Sequence, residues 1–229
     1  MSFRRIDCAI GIAVTLVATG SAFAVPGWNV ANIDNTTTNP SNANFINLAR
    51  NPDGPFIIRN EVRPVINYGG GGQYAGDFPF LNEVALGSDQ SNFLQRHTGF
   101  IQIPVSGVYS LFNQTDDPFF VSIGSNAGPV TWTDTACCGV SVNAVTLTAG
   151  TFPIEVIMAE FGGGDNVEFA MAFGGAIGAP LAFNTTTYRL VGDTANGGLF
   201  VQTTIPEPAT AALGLVAVAG LAMRRRREA

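Results

Sequence analysis

The sequence predicts an all-β protein, an antiparallel two-sheet β-sandwich of jelly-roll type, and three observations carry that expectation. Period-2 alternation of apolar and polar residues recurs through the middle of the chain, which is the spacing of strands with one buried face. Glycine (27 residues) and proline (13) interrupt those stretches at short intervals, which favours turns over long helices. Between residues 25 and 204 no stretch keeps a helical period. Short alternating strands separated by such turns bury their apolar faces best as two facing sheets.

The chain begins with Arg4 and Arg5, an apolar run from about Ala9 to Ala18, and then Ala22-Phe23-Ala24. A charged leader, a short apolar core and a small-residue cleavage site make a secretory signal peptide. Residues 1–24 are therefore expected to leave by cleavage after Ala24, taking Cys8 with them.

Residues 25–204 are expected to form the sandwich. Up to Gln95 the chain is rich in Asn, Gly and Pro and reads as long loops with strands near Phe56–Arg59 and Arg63–Tyr68. The Gly69–Gly72 run reads as a loop. Strands are plainer afterwards. Ile101, Ile103 and Val105 share a face, and after a Ser106-Gly107 turn Tyr109 and Leu111 alternate with Val108, Ser110 and Phe112. Val145 and Leu147 share a parity. Beyond the Ala149-Gly150 turn Phe152, Ile154, Val156 and Met158 share another, leaving Glu155 outward. Val167, Phe169, Met171 and Phe173 point one way with Glu168 opposite.

All eleven basic residues are arginine, and six of them lie in the terminal segments. The middle keeps five arginines against fourteen acids once Asp7, Glu207 and Glu228 are set aside. Such a body offers no basic patch for nucleic acid or an anionic membrane surface.

The chain closes with Ile205, Pro206, Glu207 and Pro208, then an apolar run from Ala209 to Met223, then Arg224, Arg225, Arg226 and Arg227. The run is rich in Ala and Gly and shorter than the roughly 20 residues that span a bilayer comfortably. The arginines would hold its far end on the cytoplasmic side, and the two prolines keep the preceding chain extended. This order of features resembles the PEP-CTERM sorting signal of Gram-negative bacteria. The resemblance implies an exported protein of an exopolysaccharide-producing cell, held briefly in the membrane by a helix over 209–223 and released by an exosortase-type enzyme. Residues 205–229 would then be an address; a plain single-pass anchor is the alternative.

The landmarks of the body also fall in a known order. "FLQRHTGFIQIPVSGVYSLFNQTDDPFFVSIGS" and "VTLTAGTFPIEVIMAEFGGGDNVEFAMAF", together spanning residues 93–173, resemble the fourteen-kilodalton β-sandwich domain first described in anthrax protective antigen. The shared series is Thr-Gly-aromatic, a strand ending in Pro, Gly-x-Tyr, an Asp-Asp pair, Leu-x-Ala-Gly and a Gly-rich hairpin. "GWNV" near Gly27 matches the first strand of that family. Pro118, where a Gly commonly follows the Asp pair, and Gly124, where the pattern has an acid, depart from it.

Asp116 and Asp117 are the most specific constellation. Adjacent carboxylates repel, so they face water or share a cation, and calcium takes six to eight oxygens of this kind. In the lectin-like members the pair holds calcium that ligates sugar hydroxyls; the resemblance implies the same role here, and a metal-free structural turn is the other reading. The Gly-rich turn would bring Asp165 and Asn166 to the same end. Trp132 and Asp134 are candidate ligand-binding residues, and Trp28 and Tyr74 are core aromatics or sugar-stacking rings. Cys137 and Cys138 are expected to form a vicinal disulfide that shapes the loop from Asn126 to Asn143; intermolecular bridges or free thiols are the alternatives. His97 lies on a predicted strand with no nucleophile motif beside it and reads as a structural or surface histidine.

These readings point to a non-enzymatic, exported protein of the cell surface or extracellular matrix that binds or organises carbohydrate, with calcium as the possible cofactor. A matrix or adhesion protein without sugar binding is the second class, and a glycan-processing enzyme with two distant carboxylates the third.

Overall fold

The structure is a computed structural model that describes residues 25–34, 36–81, 84, 91–136 and 138–204. Ala24–Ile205 form one compact unit; the predicted signal peptide, residues 1–24, and the predicted sorting signal, residues 205–229, lie outside the described residues. Among the described residues no helix is long and apolar enough to cross a membrane, and the helix expected over 209–223 lies outside them.

The expected all-β, two-sheet sandwich is what forms. Among the described residues twelve strands build it: β1 Trp28–Asp34, β2 Ile57–Arg63, β3 Asn67–Gly69, β4 Phe93–Ile103, β5 Gly107–Thr115, β6 Phe119–Ile123, β7 Val130–Asp134, β8 Gly139–Leu147, β9 Gly150–Glu160, β10 Asn166–Phe173, β11 Arg189–Leu190 and β12 Val201–Gln202. The larger sheet has the order β2-β1-β4-β9-β6-β7, with β12 extending the β1 edge of β4. The smaller has the order β11-β10-β5-β8, with β3 on β10. Strand pairing is antiparallel throughout.

Alternation puts one face of each strand between the sheets. Val145, Leu147, Phe152, Ile154, Val156, Met158, Val167, Phe169 and Met171 all enter the central core, as their parity predicts, and meet Trp28, Phe93 and Phe119 there. Each such side chain withdrawn from water contributes roughly 1.5–3 kcal/mol. Trp28 also donates its indole N–H to the carbonyl of Val191 at 3.1 Å, so the ring anchors the core and is closed to a ligand.

Four local features differ from expectation. Val105 does not continue the Ile101–Ile103 face: it sits in the β4–β5 turn, 56% exposed, and its carbonyl accepts the hydroxyl of Tyr109 at 2.8 Å. Phe173 ends its strand exposed. Glu168 is buried, because the Gly-rich loop folds over it and its carboxylate accepts the backbone N–H groups of Gln73 and Tyr74, each at 2.8 Å. The early segment forms one longer strand, β2, running through Arg59–Arg63, and then the short β3.

The outer faces are covered as well. A short helix, α1 (Phe45–Arg50), buries Phe45, Leu48 and Ala49 at i, i+3, i+4 spacing over Leu94, Phe120, Ile157 and Ala159 of the larger sheet. Asn44 precedes it and Pro52 follows, and six residues are too few to show a period in the sequence. On the smaller sheet Phe112 stacks on Phe183, ring centroids 4.0 Å apart, with Tyr188 beside them.

Candidate metal centre

The acidic residues gather at one end of the sandwich, where three chain segments meet. The β5–β6 turn carries Asp116 and Asp117, β9 ends in Glu160, and the Gly-rich turn 162–164 leads through Asp165 to Asn166 at the start of β10. One carboxylate oxygen from each of Asp116, Asp117 and Glu160 lies within 4.8 Å of the others.

Local hydrogen bonds hold this arrangement. Asp117 accepts the N–H of Phe161 through Oδ2 at 2.6 Å, which ties the β5–β6 turn to the end of β9. Its carbonyl accepts the hydroxyl of Thr115, and the carbonyl of Pro118 accepts the N–H of Ala159 at 3.2 Å. Glu160 accepts the N–H of Gly162 through Oε1 at 2.7 Å. Gly163 has φ +115°, a left-handed value that side chains rarely adopt, and a Cβ there would stand 3.6 Å from Asp116 Oδ2. That contact would be an ordinary one, so it is the backbone angle that calls for glycine in this turn.

Among the described residues no cation pairs with the cluster. Glu160 is 1% exposed, and burial, with the charges of Asp117, Asp116 and Asp165 added, pushes its carboxyl up to about 8 despite the bond from Gly162. Burial first, then Asp117 and Asp165, raises Asp116. Three buried acceptor oxygens here have no hydrogen-bond partner: Glu160 Oε2, Asp165 Oδ2 and Asn166 Oδ1. A buried acceptor left unpaired costs about 1–3 kcal/mol. A cation held by oxygens would satisfy such groups and cancel the repulsion, and the all-oxygen donor set suits a hard ion such as calcium.

The sequence reading had brought Asp116, Asp117, Asp165 and Asn166 to this end. It missed Glu160, although a signal was present: Glu160 continues the Phe152, Ile154, Val156, Met158 series, so a carboxylate stands at core-facing parity just before a Gly-rich turn.

The other candidates take different places. Trp132 is half-buried on β7 and packs against Phe119, centroids 5.6 Å apart, on the rim of the central core. Asp134 accepts the amide of Asn113 at 3.3 Å and the N–H of Ala136 at 3.0 Å. Tyr74 donates its hydroxyl to the carbonyl of Tyr188 at 3.1 Å and packs on Phe112. The segment read as a loop from Asn126 to Asn143 contains β7 and the start of β8. Cys138 is disulfide-bonded, donates its N–H to the carbonyl of Asp116 at 3.0 Å, and has φ +66°. Cys137 lies outside the described residues, as do Pro206, Glu207, Pro208 and Arg224 to Arg227.

His97 is buried on β4. Gln95 donates its amide N–H to Asn32 Oδ1, and its own oxygen accepts from His97 Nε2 at 2.8 Å, an arrangement that suits the tautomer with the hydrogen on Nε2. Nδ1 has no partner, and burial pushes the ring's pKa down to about 3.

No protein-family model matches the chain, and no curated protein matches it. Solved structures do match. The PA14 domain of the MpAFP antifreeze protein aligns over 80% of this chain and 93% of its own length, at TM-score 0.51 and 19% identity. The PA14 sugar-binding domain from an RTX adhesin aligns over 79% of this chain and all of its own, at TM-score 0.52 and 16% identity. At these identities the likeness is one of fold, and it is the fold that the order of landmarks along residues 93–173 implied.

Proposed function

We propose that this chain is an exported carbohydrate-binding module of the cell surface or extracellular matrix, with calcium held at the acidic end of the sandwich. One observation carries the reading: a buried glutamate, Glu160, with an unpartnered oxygen, sits in mutual reach of the Asp116-Asp117 pair, and among the described residues no cation pairs with it. Asp116, Asp117 and Glu160 would be the charged ligands, with Asp165 and Asn166 supplying further oxygens. Calcium in such a site offers its remaining coordination positions to water or to sugar hydroxyls. The protein's part is positional: the bonds to Phe161, Gly162 and Cys138 fix the turn before a ligand arrives, which lowers the entropy lost on binding.

Sharing its fold with a sugar-binding domain from an adhesin supports a binding module over an enzyme. The export reading rests on the two ends of the sequence: residues 1–24 as signal peptide, and 205–229 as a sorting signal processed by an exosortase-type partner, among exopolysaccharide. Cys137 and Cys138 are proposed as a vicinal disulfide that stiffens the β7–β8 turn beside Asp116.

A glycan array probed with the sandwich, with and without a chelator, tests the reading. Signal that needs calcium and disappears in Asp116→Asn and Asp117→Asn is expected. Signal indifferent to both would move the sugar site elsewhere. Hydrolysis of a polysaccharide panel would replace the binding reading with an enzymatic one.

A further inference from the structure

Strand β2 ends the larger sheet, and among the described residues no strand pairs with its second edge. An open edge presents free N–H and C=O groups, and folded proteins guard such edges with charged side chains, lysine above all, and with proline, bulges or short strands. This one has no lysine and no proline within Ile57–Arg63, and its three charges, Arg59, Glu61 and Arg63, alternate in sign along one half-buried face; the flanking prolines, Pro55 and Pro64, lie outside it. It is also apolar. Ten large apolar side chains are exposed among the described residues, and four of them are Phe56, Ile57, Ile58 and Val62.

The strand is self-complementary in charge. In a continuous sheet made by two copies related by a two-fold axis, opposed residues must lie on the same face, so the register shifts in steps of two. Centring the pair on Arg59 sets Arg59 against its own copy. Centring it on Glu61 sets Glu61 against Glu61 and Arg59 against Arg63. Centring it on Asn60 sets Arg59 against Glu61 on both sides of the axis and Ile58 against Val62 on the outer face. Of the three, only the last pairs opposite charges and like apolar groups. Within its own chain Arg59 has a long ion pair, 3.8 Å to Asp34, and Glu61 accepts from Arg63 at 2.5 Å and from the hydroxyl of Tyr68 at 3.0 Å, so the contact between copies joins a loosely paired guanidinium to the remaining lone pairs of a carboxylate already held in place.

We infer that β2 pairs edge to edge with β2 of a second copy of this chain, in the antiparallel register centred on Asn60. Such an interface is isologous and closed, so it stops at a dimer and does not propagate. It joins two short strands only, at the small end of interface sizes, and the dimer is therefore concentration-dependent. Where the calcium and glycan reading above holds, the dimer presents two acidic ends to a polymeric ligand and raises avidity without new contacts.

Single-cysteine variants of the full-length chain test the register. Opposed residues bring their Cβ atoms to about 4.5–5.5 Å, close to disulfide reach, whereas Ile58 and its own copy would be offset by four residues, about 14 Å. Mild oxidation should cross-link Asn60→Cys well above the parent chain, whose own cysteines, Cys8, Cys137 and Cys138, set the background. Ile58→Cys alone and Val62→Cys alone should stay at background, and an equal mixture of the two should cross-link. Cross-linking of Asn60→Cys at background, or equal cross-linking of all three single variants, overturns the proposal. Val62→Lys supplies the missing guard on an exposed position. It should sediment as a monomer at concentrations where the parent is dimeric, with an unchanged Tm; a parent that stays monomeric up to its solubility limit also overturns the proposal.

Discussion

Asp117 and Glu160, 43 positions apart in sequence, bring carboxylate oxygens within 4.8 Å of each other. Asp117 accepts the N–H of Phe161 and the carbonyl of Pro118 accepts that of Ala159, so the two segments that repel through their charges are tied together on either side of Glu160.

Without a cation the cluster should cost stability. Glu160 is raised to about 8 in the fold against an ordinary value of 4.5, so its contribution is fully present below pH 4.5 and is lost as pH rises through 8. In chelator at pH 7, Glu160→Gln is expected to be more stable than the parent by about 2 kcal/mol, because the amide carries no charge to bury. Denaturant unfolding at pH 5, 7 and 8.5 checks this. A variant less stable than the parent at every pH would mean that the carboxylate is compensated by its own chain.

His97 works in the opposite direction. Its folded pKa, about 3, lies below the ordinary 6.5, so the neutral ring's contribution is complete above pH 6.5 and is lost as pH falls towards 3. The expected slope is about 1.4 kcal/mol per pH unit in that window. His97→Gln should flatten it, at the cost of some stability at neutral pH. A parent and variant with parallel acid limbs would contradict the buried neutral histidine.

Gly72 is required by Glu168. A Cβ at Gly72 would lie 2.1 Å from Glu168 Oε1, and the carboxylate cannot retreat without releasing the N–H groups of Gln73 and Tyr74. Gly72→Ala is therefore expected to cost about 2 kcal/mol. Thermal unfolding indistinguishable from the parent would show that the loop has another way to close.

Much of this was legible in the sequence, and the gaps have physical reasons. The core faces of β9 and β10 follow from parity because each strand has one face in the central core. Parity also fixed Glu155 outward, where it bridges Arg50 and Arg96. It failed for Glu168, because the smaller sheet's outer face is covered by loops rather than by water, and alternation cannot tell a covered face from a solvated one. Helix α1 escaped because one and a half turns leave no period. In the acidic cluster, residues adjacent in the chain were found, while Glu160 was passed over, since its proximity to the Asp pair depends on the pairing of β6 with β9.

The processing reading makes a separate prediction. Protein recovered from outside the cells should begin at Val25 and lack the Arg224–Arg227 tail. Mature protein that keeps its four terminal arginines would argue for a membrane anchor in place of a sorting signal.

The most direct test of the central claim is calcium titration of the folded sandwich by isothermal calorimetry. One ion per chain is predicted, with a rise in Tm that grows with calcium concentration as expected for a ligand of the folded state, and with both effects abolished in Asp116→Asn and in Glu160→Gln. Absence of binding in the parent, or binding that survives both substitutions, would contradict the assignment.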